Sequence, residues 1–120
     1  LIIPGDRDEL IRLIENLVGN GLKYGARPDQ PTRVEIRAEA LGQNAILMVR
    51  DYGPGIAPEH LPRLTERFYR VDAVTSRARG GTGLGLALVK HITAHHRGRL
   101  EITSSLGDGA CFTIKLPLKA

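Results

Sequence analysis

The chain has 120 residues, 42% of them hydrophobic and 25% charged, the balance of a single globular domain with one modest core. Seventeen Lys and Arg against thirteen Asp and Glu give a formal charge of +4, which suits a phosphate-bearing partner but is too mild for a nucleic-acid coat. No apolar run approaches the ~20 residues of a membrane helix, no signal peptide precedes Leu1, and the lone Cys111 has neither a disulfide partner nor a CxxC motif, so a reducing compartment is expected. The outlying count is glycine, fourteen residues in 120 against ~7% in average proteins, with no Gly-x-y period. A start at Leu1 without Met is read as a piece of a longer chain.

Leu1-Ile2-Ile3 reads as a short strand closed by Pro4-Gly5. A helix follows, with Asp6 as N-cap and Glu9 three residues on in a capping-box pattern. Leu10, Leu13, Ile14, Leu17, Val18 and Gly21 form its apolar face, and it ends near Tyr24-Gly25. Val34, Ile36, Ala38 and Ala40 alternate with Arg33, Glu35, Arg37 and Glu39 as a half-buried strand. Gly42-Gln43-Asn44 then turns into a second strand over 45–50, making a hairpin. Pro58 opens a short helix carrying Leu61 and Leu64. Residues 69–82 show no period and read as a mobile loop. A helix over 84–96 is stopped by Gly98, Leu100 and Ile102 mark a strand, and Gly107-Asp108-Gly109 turns into a last strand with Phe112, Ile114 and Leu116 inward. This order predicts a single α+β domain over 1–120, a two-layer α/β sandwich with a mixed β-sheet and about three helices on one face.

Four constellations along this frame carry chemistry. Asn16, Asn20 and Lys23 share one helix stripe with Tyr24 at its edge. A carboxamide oxygen can hold Mg²⁺ and an ammonium can neutralise phosphate, though a solvated flank has the same pattern. Asp51-Tyr52-Gly53-Pro54-Gly55 follows a strand, where a carboxylate can accept from an amino group beside an accessible backbone; it reads equally as a turn. Gly80-Gly81-Thr82-Gly83-Leu84-Gly85-Leu86 runs straight into a helix, which makes an anion cradle of exposed N–H groups and the positive helix end. It matches neither a Walker A loop nor a Gly-x-Gly-x-x-Gly frame. Arg67-Phe68-Tyr69-Arg70 fits a core anchor or a phosphate clamp.

In order and spacing these four pieces resemble the catalytic ATP-binding domain of sensor histidine kinases, within the superfamily that also holds the gyrase, Hsp90 and MutL ATPases. Asn16 to Tyr24 looks like the N box, Asp51 to Ile56 the G1 box, Arg67 to Arg70 the F box, and Gly81 to Leu86 the G2 box. The resemblance implies ATP and Mg²⁺ as cofactors. Asp51 would accept the adenine amino group, with Gly53, Gly55, Ile56 and Phe68 shaping the pocket. Asn20 would hold Mg²⁺, supported on the phosphate side by Asn16. Lys23 and Arg70 would neutralise phosphate, and Tyr24 would lie against the nucleotide. Thr82, Gly83, Leu84, Gly85 and Leu86 would wrap the phosphates beneath a lid over 71–82.

In the gyrase and Hsp90 branch a Glu stands where this chain has Asn16, and a carboxamide is no general base. The resemblance therefore implies phosphoryl transfer to a histidine of a preceding dimerisation domain, which this sequence lacks, so the isolated piece should not phosphorylate itself. It further implies a response regulator receiver domain as partner, a homodimeric full-length protein, no nucleic acid, a cytoplasmic location, and membrane association only through absent segments. His60, His91, His95 and His96 are not in an acceptor context, and the last three read as cations at a helix C-terminus. Gly21 stands where Ala is usual, without touching a role, and Tyr52 replaces a common Asn, adding bulk near the adenine pocket. The runs 67–72 and 80–91 look most like phosphate-regulon sensor kinases. An anti-sigma-factor-type serine kinase and a silent nucleotide-binding module are the alternatives.

Overall fold

The computed structural model describes residues 4–24, 31–66 and 85–118. The expected strand at 1–3, the Gly25 cap, the run 67–70 and the loop over 69–82 lie outside the described residues. Helix α1 spans Arg7–Tyr24. Its start is the expected cap: Glu9 N–H donates to Asp6 Oδ1 at 3.0 Å, and Leu10 N–H to Asp6 O at 3.0 Å. The reciprocal arm of a capping box does not form, because the Glu9 carboxylate turns to another helix, as described below. Leu13 and Leu17 are buried and Leu10 and Val18 pack beside them, whereas Ile14 sits at the exposed edge of the apolar face.

Strands β1 (Val34–Leu41) and β2 (Asn44–Asp51) form the expected hairpin, from Leu41 opposite Asn44 to Val34 opposite Asp51, with Gly42 at φ 62° in the turn. The short helix expected from Pro58 is present as a 3-10 helix, Pro58–Arg63. Pro62 explains this, since its ring has no N–H and would collide with the carbonyl four residues back in an α-turn. Helix α2 (Gly85–His95) then leads to β3 (Arg99–Ser104) and β4 (Ala110–Pro117).

The four strands lie in the order β1-β2-β4-β3, and every ladder among the described residues is antiparallel where a mixed sheet was expected. One face, lined by Val49, Phe112, Ile114 and Leu116, carries the core with Leu13, Leu17, Val89 and Ile92 from the two helices. That makes the two-layer α+β sandwich. β1 departs from expectation: Ile36 shares the register of the core face yet is 52% exposed, and Ala38 and Ala40 are exposed too. An edge strand has only one neighbour, and of the two strands of this hairpin helix α1 packs more on β2, the inner one.

The end of α2 also differs from expectation. Gly98 N–H donates to Thr93 O at 2.8 Å and Arg97 N–H to Ala94 O at 3.0 Å, a Schellman pair whose left-handed residue is Arg97, at φ 59°. Gly98 is needed for another reason, since a Cβ there would run into Lys115 O and the Leu116 side chain. Substituting Arg97→Gly is expected to relieve the left-handed strain and raise stability by about 1 kcal/mol, read as a higher denaturation midpoint. A lower midpoint would show that the Arg97 side chain contributes more than its backbone costs.

Candidate functional site

Asp51 ends β2 and is 6% exposed. Its Oδ1 accepts from Gly53 N–H at 3.0 Å and Ala110 N–H at 3.3 Å, so one oxygen joins the G1 turn to the start of β4. Its Oδ2 has no partner among the described residues. Burial pushes the Asp51 carboxyl up from the usual range, against the pull of the Gly53 and Ala110 N–H groups and the Arg50 charge. A buried carboxylate oxygen left unmatched costs free energy unless a donor is brought to it.

The turn beyond Asp51 is held by backbone. Gly55 takes φ 81° and a Cβ on it would strike Ser105 O, while Gly109 takes φ 78° and a Cβ would strike Asp51 O. Gly107 N–H donates to Pro54 O at 2.8 Å. Ile56 N–H donates to Ser104 Oγ at 2.8 Å, and that hydroxyl donates to Gly109 O at 2.6 Å. The G1 turn therefore rests on the β3–β4 connection. Ser104 is a scaffold residue that sequence reasoning missed, because a lone Ser at a strand end carries no motif.

Helix α1 crosses this end of the sheet closely. A Cβ on Gly21 would lie 3.0 Å from Val34 Cγ2 and 3.7 Å from Asp51 Cβ. Gly21 is thus not neutral: its missing side chain sets how near α1 comes to Asp51. One face of the same helix reaches α2. Asn16 Nδ2 donates to Arg12 O at 2.8 Å, and Asn16 Oδ1 lies 2.9 Å from the point where a Cβ on Gly85 would stand. Asn20 is half-buried one turn later with no partner among the described residues, and Lys23 is exposed in the last turn. Ile56 and Leu86 are half-buried against the core. The fold thereby brings together Asn16, Gly21, Asp51 to Ile56 and Gly85. The side chain of Tyr24 and residues Phe68, Arg70, Thr82, Gly83 and Leu84 lie outside the described residues.

Tyr52 does not add bulk to the pocket. Its hydroxyl donates to Glu35 at 2.6 Å, and the Arg33 and Arg50 guanidiniums sit 4.7 and 4.9 Å from its ring centroid. Glu35 and Arg50 pair on the sheet face opposite Asp51, so Tyr52 is turned to the outer face. The Tyr52 hydrogen bond holds the Glu35 carboxyl below its ordinary range, helped by Arg33, Arg37 and Arg50, and Glu35 pushes the phenol up in turn.

Two consequences are measurable. Since burial raises the Asp51 carboxyl, the native state holds this proton more tightly than the unfolded chain. The contribution to stability is then present at low pH and lost as pH rises through the native value. Asp51→Asn, which keeps an acceptor for both N–H groups, is expected to raise the melting temperature at neutral pH. The gain should shrink on acidification below the carboxylate range, and a gain that grew there would refute the desolvation argument. Tyr52→Phe is expected to leave affinity for the proposed nucleotide within about twofold, by calorimetry, because the hydroxyl is turned to Glu35 and away from Asp51. A larger change would show that the hydroxyl acts on the Asp51 side of the sheet.

Comparison with known proteins adds context to this geometry. The family model described as histidine kinase-, DNA gyrase B-, and HSP90-like ATPase matches residues 5–120. The phosphate regulon sensor protein PhoR of Pseudomonas aeruginosa is 51% identical over 111 residues, 92% of this chain and 24% of that protein. Sensor histidine kinase RppB of Synechocystis is 46% identical over 114 residues, 95% of this chain and 24% of that protein. Among solved structures, the mycobacterial sensor histidine kinase MprB superimposes with TM-score 0.81 at 30% identity, covering 98% of this chain and 75% of that one. Full-length ShkA in complex with AMPPNP gives TM-score 0.75 at 31% identity, over 91% of this chain and 21% of that one. The chain spans about a quarter of the length of the curated relatives it matches.

Proposed function

The chain belongs to the histidine kinase-, DNA gyrase B-, and HSP90-like ATPase family, and we propose that within it the chain binds Mg-ATP and presents the γ-phosphoryl group to a histidine on a dimerisation domain of the same sensor kinase. RppB and MprB are named sensor histidine kinases, which supports an ATP-binding catalytic domain. The 120 residues would act as one catalytic domain, with the phosphoacceptor domain and a response regulator receiver domain as partners and a homodimer as the assembled form. No helix among the described residues is long and apolar enough to cross a membrane. A cytoplasmic placement remains part of the proposal.

The residues present fit the nucleotide. Asp51 offers a buried carboxylate oxygen unmatched among the described residues, which an adenine amino group would satisfy. Gly53 donates its N–H to the other oxygen of that carboxylate, and Gly55 lets the turn seat against Ser105, so both would shape the pocket by fixing Asp51 in place. Asn20 offers a hard carboxamide oxygen of the kind Mg²⁺ takes, and the ion would neutralise charge on the phosphates. Lys23 at the end of α1 would add a cation, and Gly85 opens the positive end of α2. Ile56, Tyr24, Phe68, Arg70, Thr82, Gly83, Leu84 and Leu86 complete the proposed set.

The observation that carries kinase over hydrolase is Asn16. Its carboxamide is committed, nitrogen to the Arg12 carbonyl and oxygen toward Gly85, and it cannot take a proton from water near neutral pH. Water attack then lacks a base at this position, and Glu15 is exposed about 100° round the helix. A tethered acceptor supplies instead the proximity that positions an in-line transfer.

Calorimetry on this chain is expected to show saturable Mg-ATP binding in the micromolar range with ATP preferred over GTP. Equal affinity for the two would remove Asp51 from adenine recognition. Asn20→Ala should abolish the Mg²⁺ dependence of that binding, and an unchanged dependence would exclude Asn20 from the metal shell. Joined to an acceptor domain of a relative, the chain should transfer radiolabel into an acid-labile product. Acid-stable label would favour a serine acceptor instead.

A further inference from the structure

A second cluster lies where the end of α2 meets the start of α1, built from residues that the nucleotide site does not use. His95 Nδ1 is 2.6 Å from Glu9 Oε1, and the His95 and His96 rings meet edge to face with centroids 5.4 Å apart. His96 Nδ1 donates to Ile92 O at 2.9 Å, leaving the lone pair on Nε2, which accepts Asp6 N–H at 2.9 Å. One ligand atom from each of Glu9, His95 and His96 lies within 4.8 Å of the other two.

We propose that Glu9, His95 and His96 form a binding site for one divalent first-row transition ion of the Zn²⁺ class, separate from the nucleotide's magnesium. Two imidazoles and one carboxylate suit Zn²⁺ rather than the oxygen-preferring Mg²⁺. His96 already has the outer-shell arrangement that metal-bound histidines need, with its other ring N–H on a backbone carbonyl, so its tautomer is fixed with Nε2 as the ligand. Tetrahedral zinc with bonds of ~2.0–2.1 Å places ligands roughly 3.3 Å apart, so the cluster has only to draw in by an ångström or so at exposed helix ends. On coordination, the Nδ1 proton that faces Glu9 moves through water to Nε2 of the same ring, so the neutral imidazole keeps one N–H and offers Nδ1 to the metal. Asp6 N–H loses the His96 acceptor, and water takes its place because Asp6 is exposed.

The test uses the metal-stripped 120-residue chain, without nucleotide, titrated with Zn²⁺ by calorimetry and followed by thermal melting. The expected result is one Zn²⁺ per chain with micromolar affinity, a raised melting temperature, and no displacement by millimolar Mg²⁺. His95→Ala, at a side chain 62% exposed and therefore safe for folding, should weaken Zn²⁺ binding at least about tenfold, as should Glu9→Gln. His91→Ala, on the same helix, should leave it unchanged. Absence of saturable binding overturns the proposal. So does binding that survives His95→Ala and Glu9→Gln, or that is lost with His91→Ala, since either would mean surface capture elsewhere.

Discussion

One carboxylate oxygen organises the sheet end on which everything else rests. Asp51 Oδ1 takes the N–H of Gly53 and the N–H of Ala110, tying the last residue of β2 to the turn that follows it and to the first residue of a strand 59 positions away. Because both donors are backbone, the carboxylate is oriented without help from another side chain among the described residues. The burial that makes this anchor rigid is the same burial that raises its proton affinity, so the fold carries a cost at Asp51 that a bound donor would offset. A site built this way is preorganised rather than assembled on binding.

Close backbone approach is the second device. Gly55 lies against Ser105, Gly109 against Asp51, Gly98 against Lys115, and Gly21 lets α1 pass beside Val34. At each point two elements meet where a methyl group would intrude or press, so the glycine excess in the composition is in part a record of close contacts. Asn16 does the analogous work between the helices, its carboxamide oxygen occupying the space in front of Gly85. The two helices that carry the proposed phosphate-side groups are thus spaced by one side chain and clasped at their far ends by His95 and His96.

Elements whose cause is local were legible in the chain. The Asp6 cap, the Gly42 hairpin and the alternation of Phe112, Ile114 and Leu116 each follow from a few adjacent residues, and the structure has them. The ordered boxes pointed to the family, since Asn16, Asp51 and Gly85 keep their chemistry wherever the chain takes them. What stayed hidden depends on residues far apart. The Glu9–His95 contact joins positions 86 residues apart, which no helix-dipole argument could anticipate. Arg97 takes the left-handed conformation at the helix end, whereas the glycine at 98 answers to the close approach of β4, a strand more than ten residues on. Ile36 is exposed because its strand lies at an edge, a property of sheet order and not of alternation.

The pairing of β2 also limits how the chain can change in length. Asp51 faces the helices and Tyr52 the outer surface solely because successive strand residues alternate sides from the hairpin turn onward. Residues added at the Gly42-Gln43 turn extend an exposed tip and leave that phase intact. A single residue deleted within β2 would swing the arginine-flanked phenol of Tyr52 into the place of the carboxylate, and a single residue inserted would put Arg50 there. Such a frame shift in space would delete the site without altering one of its residues.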